Sequence, residues 1–143
     1  MVLRVVFDTN VLVAALRSRR GASFGLFDRL GTPEAGYELQ VSVPLVFEYE
    51  DVLRRQASEL GLNAADVDDV LDFVCAAARH RRIFFLWRPA LRDPGDDMVL
   101  ELAVEAGVDY LVTFNARDFA GAERFGVRVI APGELLRHLE GRP

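Results

Sequence analysis

The residues best suited to chemistry are carboxylates, and they recur at one kind of place. Asp8 closes a short apolar run of Val2, Leu3, Val5, Val6 and Phe7, after which apolar residues resume at Val11 and Leu12. A run of that length, rich in β-branched residues, reads as a strand buried on both faces, with Asp8 where strand hands over to helix. Glu48 follows a second strand candidate, Tyr37–Val43, and lies at the edge of the apolar stripe Leu45, Val46, Tyr49, Val52, Leu53. Asp96 and Asp97 open a helix, Met98–Ala106, that precedes a strand over Val108–Thr113. Asn115 and Asp118 follow that strand.

Each position has a local explanation. Asp96 or Asp97 suits a helix N-cap, and Glu48 suits a half-exposed stripe edge. Their coincidence at the carboxyl ends of strands is less ordinary, because ligands of open α/β sheets bind there. Carboxylates packed together repel, and some stay protonated unless a cation joins them. The residue inventory says which cation. All 17 basic residues are arginines, and the histidines are His80 and His138 alone. A lysine-dependent phosphate loop and Schiff-base chemistry are excluded. A His-rich zinc site or a Ser-His-Asp triad is poorly supplied. Oxygen ligands point instead to Mg²⁺ or Mn²⁺.

The elements that must position these groups follow from periodicity. Helices are expected at Val11–Leu16, Ser23–Leu30, Pro44–Leu60, a stretch capped by Asn63 with Asp66 three residues on, Met98–Ala106 closed by Gly107, and Glu134–Leu139. Further strands are expected at Ile83–Trp87 and Val127–Ile130. Strand and helix alternate, which predicts an α/β fold: a three-layer α/β/α sandwich around a parallel sheet of about five strands. With 143 residues and 51% hydrophobic content, residues 1–143 are expected to form one domain. No apolar run approaches a membrane span, and the N-terminus lacks a signal-peptide pattern, so a cytoplasmic protein without membrane contact is expected. Cys75 is the lone cysteine.

The net charge of −5 argues against a uniformly basic nucleic-acid surface. A cation-binding carboxylate cluster, however, makes a chain acidic without making its substrate surface acidic. Arg17, Arg19 and Arg20, close in sequence to the Asp8 edge, suit either phosphate contacts or a solvated helix C-terminus. Glu50 with Arg54 and Asp51 with Arg55 are expected as outward i,i+4 pairs. Asp68, Asp69 and Asp72 are expected in solvent, as is His80.

The ordered segments Val5–Val13 (with Asp8-Thr9-Asn10), Ser42–Glu48, Asp96–Ala103 and Asp109–Phe119 together resemble the PIN-domain family. The nearest likeness is to single-domain PIN proteins grouped as toxins of toxin–antitoxin pairs, similar to VapC. The resemblance spans nearly the whole chain. It implies a PIN-like nuclease domain and a Mg²⁺- or Mn²⁺-dependent endoribonuclease that hydrolyses RNA to leave a 5′-phosphate. By motif position, Asp8, Glu48 and Asp96 form the acidic metal site. The fourth acidic position falls in Thr113–Asp118, where Asn115 stands in place of the frequent Asp and Asp118 lies three residues on. Asp97 and Asp93 are further ligand candidates. Thr9, Asn10 and Thr113 would orient a carboxylate or a water, and Arg17, Arg19, Arg20 and Arg117 would position the RNA backbone. The resemblance also implies a cognate antitoxin and a homodimer or higher homo-oligomer.

Other readings place Asp at strand ends as well. A receiver domain or a haloacid-dehalogenase-like phosphatase normally requires a lysine, which this chain lacks. A flap-like DNA nuclease requires insertions that do not fit this length. A non-catalytic PIN fold that binds RNA or protein, and an RNA-processing nuclease outside any toxin–antitoxin pair, stay open.

Overall fold

The structure is a computed structural model and describes residues 2–83, 91 and 93–141. Five parallel strands form one sheet in the order β3-β2-β1-β4-β5. They are β1 (Leu3–Phe7), β2 (Tyr37–Val41), β3 (Arg79–His80), β4 (Tyr110–Val112) and β5 (Arg128–Ile130). Val5, Val6 and Phe7 of β1 are buried, as a strand covered on both faces requires. Among the described residues the third strand is Arg79–His80. Ile83 lies outside any strand, and residues 84–87, with Trp87, fall outside the described residues.

The helices are α1 (Thr9–Arg17), α2 (Ala22–Arg29), α3 (Val43–Leu60), α4 (Ala64–Ala77), α5 (Pro94–Ala106) and α6 (Pro132–Glu140). Two 3₁₀ turns, Ala116–Phe119 and Ala122–Phe125, link β4 to β5. The strand order reverses at β1: β2 and β3 lie to one side, β4 and β5 to the other. Right-handed crossovers therefore send α1–α4 and α5 to opposite faces. In keeping with this, α5 packs on β1, β2 and β4, while α1 touches α2 and α3 and α6 lies against α2. The result is the three-layer sandwich expected from the alternation of elements.

Local chemistry sets the helix starts. Ser42 caps α3 by accepting the Leu45 N–H, and Asn63 and Asp66 form the expected capping box on α4. Helix α5 begins earlier than expected. Its N-cap is Asp93, which accepts the Gly95 N–H at 2.7 Å, with Pro94 in the first turn. Asp96 and Asp97 thus lie inside the first turn rather than capping it. Gly107 ends α5 with φ +60°, a left-handed conformation suited to glycine. The i,i+4 pairs Glu50–Arg54 and Asp51–Arg55 are present. Asp68 is exposed, as expected, and also meets Arg54 at 2.6 Å in a surface ion pair between α4 and α3. His80 is exposed, and its Nε2 lies 2.8 Å from the Cys75 carbonyl oxygen.

Candidate functional site

Between β1 and β4 the chain leaves the sheet in opposite directions, and the crevice beyond their carboxyl ends is the position where such sheets take ligands. Asp8 follows β1 and caps α1 with its own carboxylate, Oδ1 accepting the Thr9 N–H at 2.9 Å. Its backbone N–H donates to the Val112 carbonyl at 2.9 Å, so the ladder between β1 and β4 continues to the edge of the crevice. Thr113, the first residue after β4, donates its hydroxyl to Asp8 Oδ2 at 2.8 Å.

A small network surrounds this pair. Thr113 Oγ1 also accepts the Asn115 N–H at 3.0 Å and lies 3.4 Å from Asn10 Nδ2. Asn10 Nδ2 is 3.3 Å from Asp8 Oδ2, and its Oδ1 accepts the Phe114 N–H at 3.3 Å. Asp8 is 8% exposed and Thr113 1%. The donor and acceptor inventory of the threonine hydroxyl is therefore filled inside the protein.

Glu48 reaches the same place from the second turn of α3, where its Oε2 accepts the Thr9 hydroxyl. Tyr49, the next residue, is buried and donates its hydroxyl to the Phe7 carbonyl at 2.6 Å. That bond fastens α3 to the last residue of β1. Burial holds the Tyr49 phenol protonated, reinforced by the nearby charges of Asp8 and Glu48. Gly95 forms the floor beside Glu48: a Cβ built there would lie 3.0 Å from Glu48 Oε1 and 3.1 Å from Asp93 Oδ1. Only a residue without a side chain lets the carboxylate approach the start of α5 so closely.

These groups line one cleft of about 650 Å³. Its walls include Asp8, Thr9, Asn10, Glu48, Asp93, Gly95, Asp96, Asn115 and Asp118, together with Val13, Ala14, Arg17, Val52, Gln56 and Phe114. Asp8 has its pKa raised above 3.8, first by burial and then by repulsion from Glu48 and Asp118, while the hydrogen bonds from Thr113 and Thr9 oppose the rise. Asp96 is pushed up to about 6, first by burial and then by the charges of Asp8, Asp93, Asp118 and Glu48. The carboxylates are thus close enough to disturb one another. Among the described residues, no three side chains of the His, Cys, Asp and Glu types are gathered tightly enough to hold one ion as they stand.

The residues singled out from sequence divide clearly. Asp8, Thr9, Asn10, Arg17, Glu48, Asp93, Asp96, Asn115 and Asp118 line the cleft, and Thr113 supports Asp8 from beneath it. Asp97 does not line it: it is buried, and its Oδ1 accepts the Leu91 N–H at 2.9 Å, bracing the segment that leads into α5. Arg19, Arg20 and Arg117 are exposed outside the lining. Arg17 lies 3.4 Å from Gln56 across the α1–α3 wall. Sequence reasoning missed Gly95, Tyr49, Gln56 and Phe114. Tyr49 reads as one more stripe residue, and its position next to Glu48 is the one signal that sets it apart.

A sequence profile described as PIN domain matches residues 4–117. The chain belongs to the PIN domain family. The match contains Asp8, Glu48, Asp96 and Asn115 and stops one residue short of Asp118. Among solved structures, a chain of VapBC2 from Rickettsia felis, a complex bound to a DNA fragment from its promoter, is similar in fold. The TM-score is 0.61 at 12% identity, covering 90% of this chain and 98% of that one. No curated protein matches the sequence. No described helix is long and apolar enough to cross a membrane.

Proposed function

We propose that residues 1–143 act as one Mg²⁺- or Mn²⁺-dependent endoribonuclease domain, the toxin member of a toxin–antitoxin pair. The observation that carries this reading is the shared cleft of Asp8, Glu48, Asp96 and Asp118 at the reversal point of the sheet. Membership of the PIN domain family supports it. The donor set fits a hard divalent cation, since it consists of oxygens and carries charge that repels itself. Asp8, Glu48 and Asp96 would hold the ion, with Asp118 or Asn115 in the fourth place. Because the carboxylates stand apart, binding must draw at least one side chain inward. Asp8 is held by three donors and Glu48 by Thr9, which leaves Asp96 and Asp118 as the groups to move.

A bound divalent ion supplies an activated water and neutralises charge on the phosphate. The chain's own residues do the rest. Thr113, Thr9 and Asn10 fix the orientation of the Asp8 and Glu48 carboxylates before substrate arrives. Arg17, at the far end of the cleft, supplies a phosphate contact that positions the strand without reading its sequence. Attack of the water oxygen on phosphorus expels the 3′ oxygen, which leaves as a 3′-hydroxyl on the upstream fragment, while the phosphate stays on the 5′ oxygen of the downstream one. Single-stranded or looped RNA is the substrate class, because an A-form duplex hides its base edges.

The decisive experiment follows cleavage of single-stranded RNA with Mg²⁺, Mn²⁺ or EDTA, alongside Mn²⁺-dependent thermal stability. Wild type should cleave only with the ion and gain stability from Mn²⁺. Asp8→Asn, Glu48→Gln and Asp96→Asn should each lose both properties, with a circular dichroism spectrum like that of wild type. Retained cleavage in Asp8→Asn rejects the assignment. A wild type indifferent to Mn²⁺ favours a non-catalytic binding module, the reading to which the spread of the carboxylates would then belong.

The partner assignment rests on the fold neighbour, a VapBC2 complex from Rickettsia felis. A small inhibitory protein encoded in the adjacent reading frame should co-purify with this chain and suppress cleavage. Homodimerisation belongs to the same proposal and is read by light scattering. A cytoplasmic location is where such a ribonuclease meets its substrate.

A further inference from the structure

Phe114 is 54% exposed, yet it lines the carboxylate cleft. The other large exposed aromatics among the described residues do not line that cleft. Phe47 borders a separate depression on the outer side of α3, Phe73 packs edge-on against Phe27, and Phe125 carries the Arg124 guanidinium over its ring. Among the described residues no other aromatic ring meets Phe114. An apolar ring held in water forfeits the transfer free energy that burial would give, so its place at a binding cleft invites a flat apolar ligand.

Its backbone is held firmly. The Phe114 N–H donates to Asn10 Oδ1, and the preceding residue is Thr113, whose hydroxyl is bonded to Asp8. The Phe114 Cα is about 3.8 Å from that of Thr113, so the ring springs from the residue next to the one that bonds Asp8. Arg17 lies nine residues along α1 from Asp8, roughly 13 Å at the rise of an α-helix. The cleft thus carries on its lining a cation at the C-terminal end of α1, suited to one phosphate, and an aromatic face just after β4.

We propose that Phe114 is a base-stacking platform: the nucleobase next to the scissile phosphate of an unpaired RNA strand lies on its ring. This rests on the ribonuclease reading and adds to it a residue that holds the unpaired strand. A stacked base must be unpaired and splayed from its neighbours, so the site selects single strands over duplex. Stacking tolerates every base, so Phe114 contributes affinity and register rather than base identity.

The test compares wild type, Phe114→Ala and Phe114→Trp on a short single-stranded RNA in Mg²⁺, and on the same strand with an abasic nucleotide beside the mapped cleavage position. Phe114→Ala should raise KM on the order of tenfold, as expected for loss of one stacked base, with kcat changed less than about threefold. Phe114→Trp should restore KM. The abasic strand should raise KM for wild type but add little for Phe114→Ala, because both changes remove the same contact. Thermal stability should be unchanged throughout. An unchanged KM in Phe114→Ala, or additive effects of variant and abasic site, overturns the proposal and leaves the ring to a protein contact. A wild type that neither binds nor cleaves single-stranded RNA rejects the ribonuclease reading itself, a distinguishable result.

Discussion

The Thr113 hydroxyl donates to Asp8 Oδ2 at 2.8 Å, joining residues 105 positions apart across the reversal point of the sheet. One hydroxyl thereby aims the central carboxylate of the cleft, while accepting the Asn115 N–H that shapes the following loop.

Thr113→Val keeps shape and volume but removes this hydroxyl. It leaves the Asn115 N–H without its acceptor and Asp8 with one fewer donor, at a site only 1% exposed. A loss of about 1–3 kcal/mol in urea denaturation is expected. Mn²⁺ affinity and cleavage should fall with it, because the carboxylate is freed to rotate. Stability lost with Mn²⁺ affinity intact would mean that Asp8 is oriented by other contacts.

Tyr49→Phe separates scaffold from site. It removes the bond to the Phe7 carbonyl and leaves the ring in place. The expected cost is about 1–2 kcal/mol for a buried hydrogen bond with an orphaned carbonyl. Glu48 keeps its Thr9 partner, so Mn²⁺ affinity per folded molecule should change less than in Thr113→Val. A larger loss of affinity than of stability would place Tyr49 in the site itself.

Gly95→Ala should move stability and function in opposite directions. Alanine favours a helix over glycine by up to about 1 kcal/mol, and this position lies in the first turn of α5. The added Cβ would lie 3.0 Å from Glu48 Oε1, so the carboxylate must retreat. The melting temperature should hold or rise while Mn²⁺ affinity and cleavage drop. Unchanged cleavage would show that Glu48 has slack.

Asp96 predicts a pH signature. Its folded pKa is about 6 against an ordinary 3.8, so between these values the folded chain holds a proton that the unfolded chain has lost. Stability from this group therefore falls as pH rises through that window and is fully lost above it. Asp8 is shifted in the same direction. In EDTA, Asp96→Asn should melt a few degrees above wild type at pH 8, with the gap closing by about pH 4. With Mn²⁺ at pH 8 the order should reverse, because only wild type gains from the ion. No gap in EDTA would mean that the carboxylates do not strain the fold.

Much of this was legible in the chain itself. The apolar run Val2–Phe7 ending at Asp8, the Asn63–Asp66 box and Gly107 each act through neighbours within a few residues, and periodicity reports such local physics well. The alternation of elements then limited the topology to a parallel sheet with Asp8, Glu48, Asp96 and Asp118 near one edge. Misses came where distant contacts outweigh local preference. Strand β3 is only two residues long and owes its place to pairing with Gln40 and Val41, and Asp93 took the cap of α5 with Pro94 behind it.

What tertiary structure alone decided is the division of labour among equivalent carboxylates. Asp96 and Asp97 are adjacent and chemically identical, yet one lines the cleft and the other braces Leu91, because consecutive helical residues point about 100° apart. The closeness of Gly95 to Glu48 and the exposure of Phe114 at the cleft are likewise products of packing between segments dozens of residues apart. Sequence determined which atoms were available and on which edge. The angle at which α3 and α5 meet the reversal point decided which of them face one another, because side-chain direction is fixed only once the helices are docked.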